Sequence, residues 1–467
     1  MVATLSVADL VCGTQGALVG GRLEHVVTGV SIDSRTCRPG DVFFAIHGPR
    51  QDGHAFLGDA LGRGAAAAVV SRYPAATTLP GDFALVLVED TTQALQRLGA
   101  FHRRRHSLPV VGVTGSIGKT TTKELAAAVL GQRLRVLKAT GSLNNQWGVP
   151  LTLLGLEPAH EAAVLELGMN ALGEIAALAQ LARPSIGVVT TIAPAHLEGV
   201  GSIEGVQKAK AELVQAIPPD GAVVLNADDP LVLALAGEAR GRVLTYGRAA
   251  GADVRLGEVT PGAGGLAFTL ACDGTAVPVR LPLHGRHNAW NAAAAAAVGL
   301  ALGVPIDVAA AGLAGAVPVK GRLVWRQAGG VRILDDTYNA NPVSLRAALD
   351  ALRDVGPEGR MWVLFGDMLE LGAASDAAHA DAGRWIAALP AAGLTTAGAA
   401  TRATAAAAAA AGCPDVAAHP TPEEAAAYVA ARVRAGDRVL VKGSRGMRME
   451  RAVETLLARL QGGGRAC

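Results

Sequence analysis

Short, nearly unbroken apolar runs alternate along the chain with longer stretches whose apolar residues recur every three to four positions. The runs 109–113, 163–167, 186–192, 222–226 and 243–246 have strand length. They lack the polar alternation of a half-exposed strand, so they predict strands buried on both faces. Between and after them, 120–130, 173–181 and 203–217 carry helical spacing. Strand and helix in regular alternation predict a parallel sheet covered by helices. Residues 253–283 break the rhythm, because 253–259, 266–272 and 276–281 are strand-like pieces separated by Gly turns. They predict a small antiparallel extension, after which 288–302 closes the region as a helix.

The flanking regions follow looser versions of the same pattern. Before residue 105 the chain mixes short strands, chiefly 42–46 and 65–70, with turn signals at Gly40-Asp41 and Asp52-Gly53-His54 and few long helices. Residues 103–107 turn basic and polar and predict a linker. From 321 onward the strand–helix rhythm restarts, with strands at 331–334, 362–365 and 439–441 and helices near 345–352, 376–388 and 447–460. The alanine run 405–411 is of low complexity but compatible with a helix. No short-period repeat is present. For 467 residues, at roughly 100–200 residues per domain, these breaks predict domains at 1–105, 106–318 and 319–467.

Composition narrows the picture in three ways. Apolar residues make up 50% and aromatics only 3%, so the cores consist of small aliphatic side chains that suit helices packed on parallel sheets. The net charge of +2 argues against a nucleic-acid or anionic-membrane partner, which would need a basic stripe. The one dense basic run, Arg103-Arg104-Arg105, reads as a solvated linker. The five cysteines are scattered, with no CxxC pair, so neither a zinc site nor a disulfide framework is indicated, as suits a reducing cytosol. The first ten residues lack the pattern of a signal peptide. The longest apolar stretch, from Ala292, is broken by Pro305 and Asp307 and falls short of the ~20 residues of a membrane span. A cytoplasmic protein without a membrane span is expected.

The first chemistry appears at Thr114-Gly115-Ser116-Ile117-Gly118-Lys119-Thr120. A buried strand feeds a Gly-rich turn, and a helix begins at the lysine. Glycines let backbone N–H groups turn inward around phosphate oxygens, and the helix N-terminus adds favourable partial charge. Lys119 is placed for the β/γ-phosphates of ATP and the Thr120 hydroxyl for Mg²⁺. The common pattern wants a further glycine at Val113 and lacks it here. Phosphoryl transfer needs more metal ligands than one threonine. Glu166 and His196 follow apolar strands at the edge where open α/β sheets bind ligands, and a carboxylate there suits Mg²⁺. Lys208 and Lys210 lie on the next helix. Either could ligate a metal only if carbamylated, which nothing in the sequence requires.

These segments carry a resemblance. The phosphate loop, Glu166-Leu167-Gly168, Ala193-Pro194-Ala195-His196-Leu197-Glu198, Ala209-Lys210-Ala211-Glu212 and Asn226-Ala227-Asp228-Asp229 resemble the Mur ligase family. Further motifs point to the member that joins D-alanyl-D-alanine to UDP-N-acetylmuramoyl-tripeptide. They are Gly40-Asp41-Val42-Phe43-Phe44-Ala45 with Asp52-Gly53-His54, then Asn144-Asn145 followed by Gly148-Val149-Pro150. Asp335-Asp336-Thr337-Tyr338-Asn339-Ala340-Asn341-Pro342, Phe365-Gly366-Asp367-Met368 with Glu370-Leu371-Gly372, and Val441-Lys442-Gly443-Ser444-Arg445 complete the set. The match runs in order along almost the whole chain.

The resemblance implies an α/β protein of three domains: a small N-terminal α/β substrate domain, a central P-loop parallel-sheet ATPase domain with a small antiparallel extension, and a Rossmann-like C-terminal domain. It implies an ATP-dependent ligase, acting as a monomer, that makes UDP-MurNAc-pentapeptide, ADP and phosphate through an acyl phosphate. Lys119 and the loop amides, from Thr114 to Thr120, would hold the phosphates. Thr120 and Glu166 would take one Mg²⁺, and His196 with carbamylated Lys210 a second. Asn288 and Asn291 would sit against adenine, and Arg322 and Asp336 would close on ATP from the C-terminal side. Ser31, Arg35 and the segment 40–44 would line the uridine pocket. Asn144 and Asn145 would serve substrate, and Asn339, Asn341 and Arg445 would lie near the incoming dipeptide. Plainer roles compete at several positions: a packed helix for Asn291, a turn cap for Asp335 or Asp336, an ordinary turn for Asn144-Asn145, scaffold for the N-terminal motifs. Competing functions are a sibling ligase adding the third stem residue, a folylpolyglutamate-synthetase-like ligase and, in another class, a P-loop switch or motor.

Overall fold

A computed structural model describes residues 4–48, 51–73, 78–194, 197–354, 356 and 358–462. Among the described residues three larger sheets organise the chain, beside a two-stranded antiparallel pair, Leu5–Ser6 with Val26–Val27. The first runs in spatial order Ala17–Gly20, Ala84–Leu87, Ala67–Val70, Asp41–Phe44, Gly29–Ser31, parallel except at its first pair. The central sheet is parallel through Val136–Lys138, Ala162–Glu166, Val110–Thr114, Ile186–Val189, Ala222–Asn226 and Arg242–Gly247. The third runs Val324–Ala328, Val331–Asp336, Arg438–Lys442, Met361–Gly366, Ala391–Ala397, Val416–His419, with only its first pair antiparallel.

The predicted antiparallel extension is present as Thr260–Gly262, Gly265–Cys272 and Thr275–Leu281. The strand expected over 253–259 stops at Leu256. The strand expected over 186–192 ends at Val189, because residues 190–193 turn aside to hold the phosphate loop: Ser116 N donates to Thr191 O at 2.8 Å and Ala193 N to Ser116 Oγ at 3.0 Å.

The alanine excess has a structural use. The helix His287–Ala301 buries Ala292 to Ala297 completely, packed beside the phosphate-loop helix Lys119–Leu130. A Cβ on Gly299 would come within 2.8 Å of Val129 Cγ1, and one on Gly312, in the following helix Ile306–Ala314, within 2.7 Å of the Ala128 carbonyl. Small residues let these helices approach closely, and larger ones would force them apart.

The basic run departs from its sequence reading at Arg103, while Arg104 and Arg105 are exposed as that reading expects. A helix, Thr91–Arg104, which the pattern did not reveal, reaches through it and is capped at its start by the Asp90 side chain. Arg103 is only 8% exposed. Its guanidinium donates to Ala182 O at 2.9 Å and Leu108 O at 3.1 Å, so it clamps the N-terminal unit onto the central one. Trp147 Nε1 donates to Thr92 Oγ1 at 3.0 Å across the same junction. On the other side, the central and C-terminal units are joined by a connecting segment, Gly321-Arg322-Leu323, with positive φ at Gly321 and Leu323 and called the hinge below, and they meet at Arg286, whose guanidinium forks onto the Asp354 carboxylate at 2.9 and 3.3 Å. Among the described residues no helix is long and apolar enough to cross a membrane.

Candidate active site

The strand Val110–Thr114 delivers the loop 114–120 to the C-terminal edge of the central sheet. Two glycines are required there. Gly115 has φ +145° and Gly118 φ +86°, in the region that favours glycine, and each is walled in. A Cβ would lie 1.9 Å from Thr190 Oγ1 at Gly115 and 2.4 Å from Asn291 Oδ1 at Gly118. The missing glycine is harmless, because Val113 is a buried strand residue paired with Glu166 and Val188 rather than part of the turn.

Lys119 Nζ donates to Gly115 O at 2.7 Å. Burial pushes its ammonium below the usual lysine range and the Arg322 charge adds to this, while Glu166 opposes it. A bound polyphosphate would supply the missing counter-charge. Thr120 Oγ1 donates to Glu166 Oε2 at 2.7 Å and accepts from Arg322 Nη2 at 2.8 Å. Glu166 ends a strand buried on both faces, is 2% exposed, and accepts from Asn144 Nδ2 at 2.8 Å. A hydroxyl and a carboxylate thus converge beside the phosphate loop, an oxygen donor set that fits Mg²⁺. Among the described residues no cluster of three or more His, Cys, Asp or Glu could hold a metal. His196 lies outside the described residues.

Lys210, on the helix Ile203–Ala216, is 1% exposed. Burial, with Lys119 next, drives its amine well below the usual range against the pull of Glu212 and Glu166. It does not line the cavity described next.

The loop opens onto a cavity of about 550 Å³. The central unit contributes Ser116 to Thr120, Asn144, Asn145, Glu166, Asn288 and Asn291, and the hinge and C-terminal unit contribute Arg322, Asp336, Asn339 and Asn341. Thus most of the expected site residues converge. Thr114 and Gly115 stand behind the loop rather than on the cavity wall, and Ser31, Arg35 and Arg445 do not line the cavity. Ser31 is buried and donates to Asp33 O at 2.9 Å, and the Arg35 side chain, 84% exposed, pairs with Asp33. Both lie on the N-terminal unit. Arg445 is largely exposed and 3.6 Å from Glu450, with its guanidinium 5.6 Å from the ring centroid of the cavity residue Tyr338.

Several convergent residues also carry a local structural task. Asn291 Nδ2 donates to Asn288 Oδ1 at 2.8 Å and its Oδ1 accepts from Thr122 Oγ1, locking one helix to the other. Asn145 Oδ1 accepts the Gly148 N–H, and Asn341 Oδ1 the Ser344 N–H, each fixing the start of a helix. Asp335 is buried and pushed up by that burial, with Thr337 hydrogen bonds opposing, whereas Asp336 faces the cavity.

Among the cavity residues not selected as site residues from the sequence are His287, Tyr338 and Lys442. Burial drives His287 down to about 4, Asp336 opposing and Lys442 and Arg322 adding, so its ring is neutral at pH 7. Tyr338 lies under the Arg322 guanidinium, 4.2 Å from ring centroid to Cζ. Lys442 ends an apolar strand at the sheet's ligand edge, the same signal that marked Glu166.

Comparison with known proteins matches three family domains along the chain: "Mur ligase family, catalytic domain" over 26–103, "Mur ligase middle domain" over 113–299 and "Mur ligase, glutamate ligase domain" over 321–445. The chain belongs to the Mur ligase family. It is 35% identical to the UDP-N-acetylmuramoyl-tripeptide–D-alanyl-D-alanine ligase of Bacillus subtilis over 97% of each chain. A crystal structure of MurF from Acinetobacter baumannii matches at TM-score 0.87 with 33% identity, covering 98% of this chain and 99% of that one. The MurF ligase of Thermotoga maritima, solved in complex with ADP, matches at TM-score 0.80 with 31% identity, covering 94% and 99%. The three-part α/β architecture is therefore that of the Mur ligases.

Proposed function

We propose that this Mur ligase joins D-alanyl-D-alanine to UDP-N-acetylmuramoyl-tripeptide at the expense of ATP, the step that completes the peptide of a peptidoglycan precursor. The observation that carries this reading is a cavity in which the central unit's phosphate loop faces the Asp336–Asn341 segment of the C-terminal unit. A nucleotide on one wall and an amine-bearing dipeptide on the other would meet a carboxylate between them. The peptide carboxylate attacks the γ-phosphate and ADP leaves; the dipeptide amine then attacks the acyl phosphate and phosphate leaves. Both steps gather negative charge, so the chain's contribution is positioning and cationic stabilisation.

In this reading Lys119 and the loop amides hold the β- and γ-phosphates, and Arg322 turns from the Thr120 hydroxyl to the nucleotide. Asn288, shared between the main cavity and an adjoining one of about 290 Å³, places adenine beside the phosphate-loop helix. Thr120 and Glu166 would hold Mg²⁺, with His196 and Lys210 at a second site; the metal would neutralise phosphate charge. Lys210 would ligate as its carbamate, formed when the amine adds to the carbon of CO₂ and releases a proton. A depressed amine favours this, since only the neutral form reacts. Ser31 and Arg35 would bind the uridine end from the N-terminal unit, and Arg445 would approach the dipeptide. We place the unit boundaries at 1–105, 106–318 and 319–467, and the protein in the cytoplasm as a monomer.

The test is ADP release by purified protein given ATP, Mg²⁺ and UDP-MurNAc-tripeptide, with and without D-Ala-D-Ala. Release that requires the dipeptide, with the pentapeptide product seen by mass spectrometry, is expected. Release that requires meso-diaminopimelate or lysine with the shorter UDP-MurNAc-dipeptide would instead assign the sibling reaction.

A further inference from the structure

We propose that Lys442 is a positioning residue that binds the nucleotide-facing carboxylate, the hinge and the acceptor-facing loop into one unit. The inference deepens the ligase reading above and rests on it for the identity of the acceptor.

Lys442 is the last residue of Arg438–Lys442, a strand between two parallel neighbours, opposite Asp336 on one and Phe365 on the other. The side chain is 1% exposed. Its ammonium donates to Asp336 Oδ2 and to the backbone carbonyl of Asn339 at 3.0 Å. The other Asp336 oxygen accepts the Leu323 N–H at 3.3 Å. Leu323 stands in the hinge with φ +51°, a left-handed conformation that is unfavourable for a non-glycine residue. Such a conformation persists where its surroundings hold it, and Asp336 is one of those holds. From Asn339 the chain continues through Ala340, whose carbonyl accepts from Ser444 Oγ at 3.3 Å, to Asn341, anchored by Ser344. One ammonium therefore fixes three things at once: the direction of the Asp336 carboxylate, through it the hinge, and the start of the loop 339–341.

Stability alone does not account for this arrangement. A buried ion pair roughly breaks even against an apolar pair of similar volume, because desolvation offsets the attraction. What the pair supplies is geometry. A lysine here holds a carboxylate and a carbonyl at a fixed separation, whereas an apolar residue would leave the carboxylate held only by the Leu323 N–H and the Asn339 carbonyl without this partner. Lys442 need not touch the reacting atoms for this. It sets the distance between the groups that hold ATP and those that hold the acceptor.

The experiment uses the full chain carrying Lys442→Met, with Asp336→Asn and the double variant as controls. Calorimetry reads ATP affinity, steady-state kinetics reads KM for each substrate, and thermal unfolding reads integrity. Lys442→Met should weaken ATP binding and raise the D-Ala-D-Ala KM at least tenfold each. The KM for UDP-MurNAc-tripeptide should stay within twofold. A residue that merely stabilised the domain would reduce kcat through the active fraction and leave both constants unmoved, and that result in folded protein would overturn the proposal. If the unpaired Asp336 prevents Lys442→Met from folding, the charge-balanced double variant is compared with Asp336→Asn. A further rise of about fivefold in dipeptide KM is expected, and equality would overturn the proposal. Should the unaltered protein ignore D-Ala-D-Ala, the ligase reading fails by itself, while ATP affinity still decides the Lys442–Asp336 link.

Discussion

At the scale of single residues, the site depends on charges placed where burial makes them costly. Burial holds Lys119 below its ordinary range. Lys119→Ala should lower kcat at least a hundredfold, the order seen when one charge-stabilising donor is removed, with unfolding by urea little changed; activity near that of the unaltered protein would remove the loop from the chemistry. Lys210 faces the opposite demand. Its amine is depressed by burial and by Lys119, which suits carbamate formation. Lys210→Ala should cripple ligation, and added short-chain carboxylate should restore part of it. Full activity in that variant would exclude the carbamate. The sequence exposed Lys119 because it sits in a contiguous motif at a strand end, whereas Lys210, within the helix Ile203–Ala216, was singled out only through the family resemblance. Lys442 carries the same local signal, but its meaning comes from Asp336, 106 positions away. His287 was hidden among its motif neighbours, since nothing local marks a histidine as buried and neutral.

At the scale of elements, periodicity performed best where a helix or strand is packed by one uniform neighbour. The central parallel strands and the helix Lys119–Leu130 were legible for that reason. The helix Thr91–Arg104 was not, because its last turn is basic and reads as solvent-facing when its partners, 79 positions along, are unknown. Arg103→Ala would strand buried carbonyls, and each unpaired buried polar group costs about 1–3 kcal/mol. A loss of about 3 kcal/mol in urea unfolding is expected, where a solvated linker would give almost none. In the C-terminal sheet, burial pushes the Asp437 carboxyl up, but hydrogen bonds from Arg360 and from the Arg434 and Arg360 amides outweigh it, so its pKa lies below the usual range. A depressed carboxylate contributes stability above its unfolded pKa of about 3.9 and loses it as pH falls through the folded value. Asp437→Asn should therefore destabilise by about 1–3 kcal/mol at pH 7, and the difference should shrink below about pH 4. A difference constant from pH 7 to pH 3 would count against this account.

At the scale of the molecule, the two junctions are built differently. The N-terminal unit is clamped by the buried Arg103, whereas the C-terminal unit meets the central one through the hinge and the half-exposed Arg286–Asp354 pair. Exposed pairs contribute up to about 1 kcal/mol, roughly a fivefold bias in a two-state equilibrium, enough to favour one arrangement without fixing it. Asp354→Asn should broaden the small-angle X-ray scattering envelope of the nucleotide-free protein while leaving its melting temperature within a few degrees. An unchanged envelope would assign the arrangement to the hinge alone. The sequence by itself determined the α/β class, the phosphate loop, the carboxylate at Glu166 and the family, because these reside in contiguous residues whose spacing directly encodes backbone geometry. Only the tertiary structure decided that Val113 needs no glycine, that Arg103 is a clamp, that Ser31 and Arg35 lie away from the central cavity, and that Lys442 joins Asp336 to Asn339. Each of these depends on which distant segment supplies the neighbour, and burial, which sets the energy of a charge, is a property of the assembled fold.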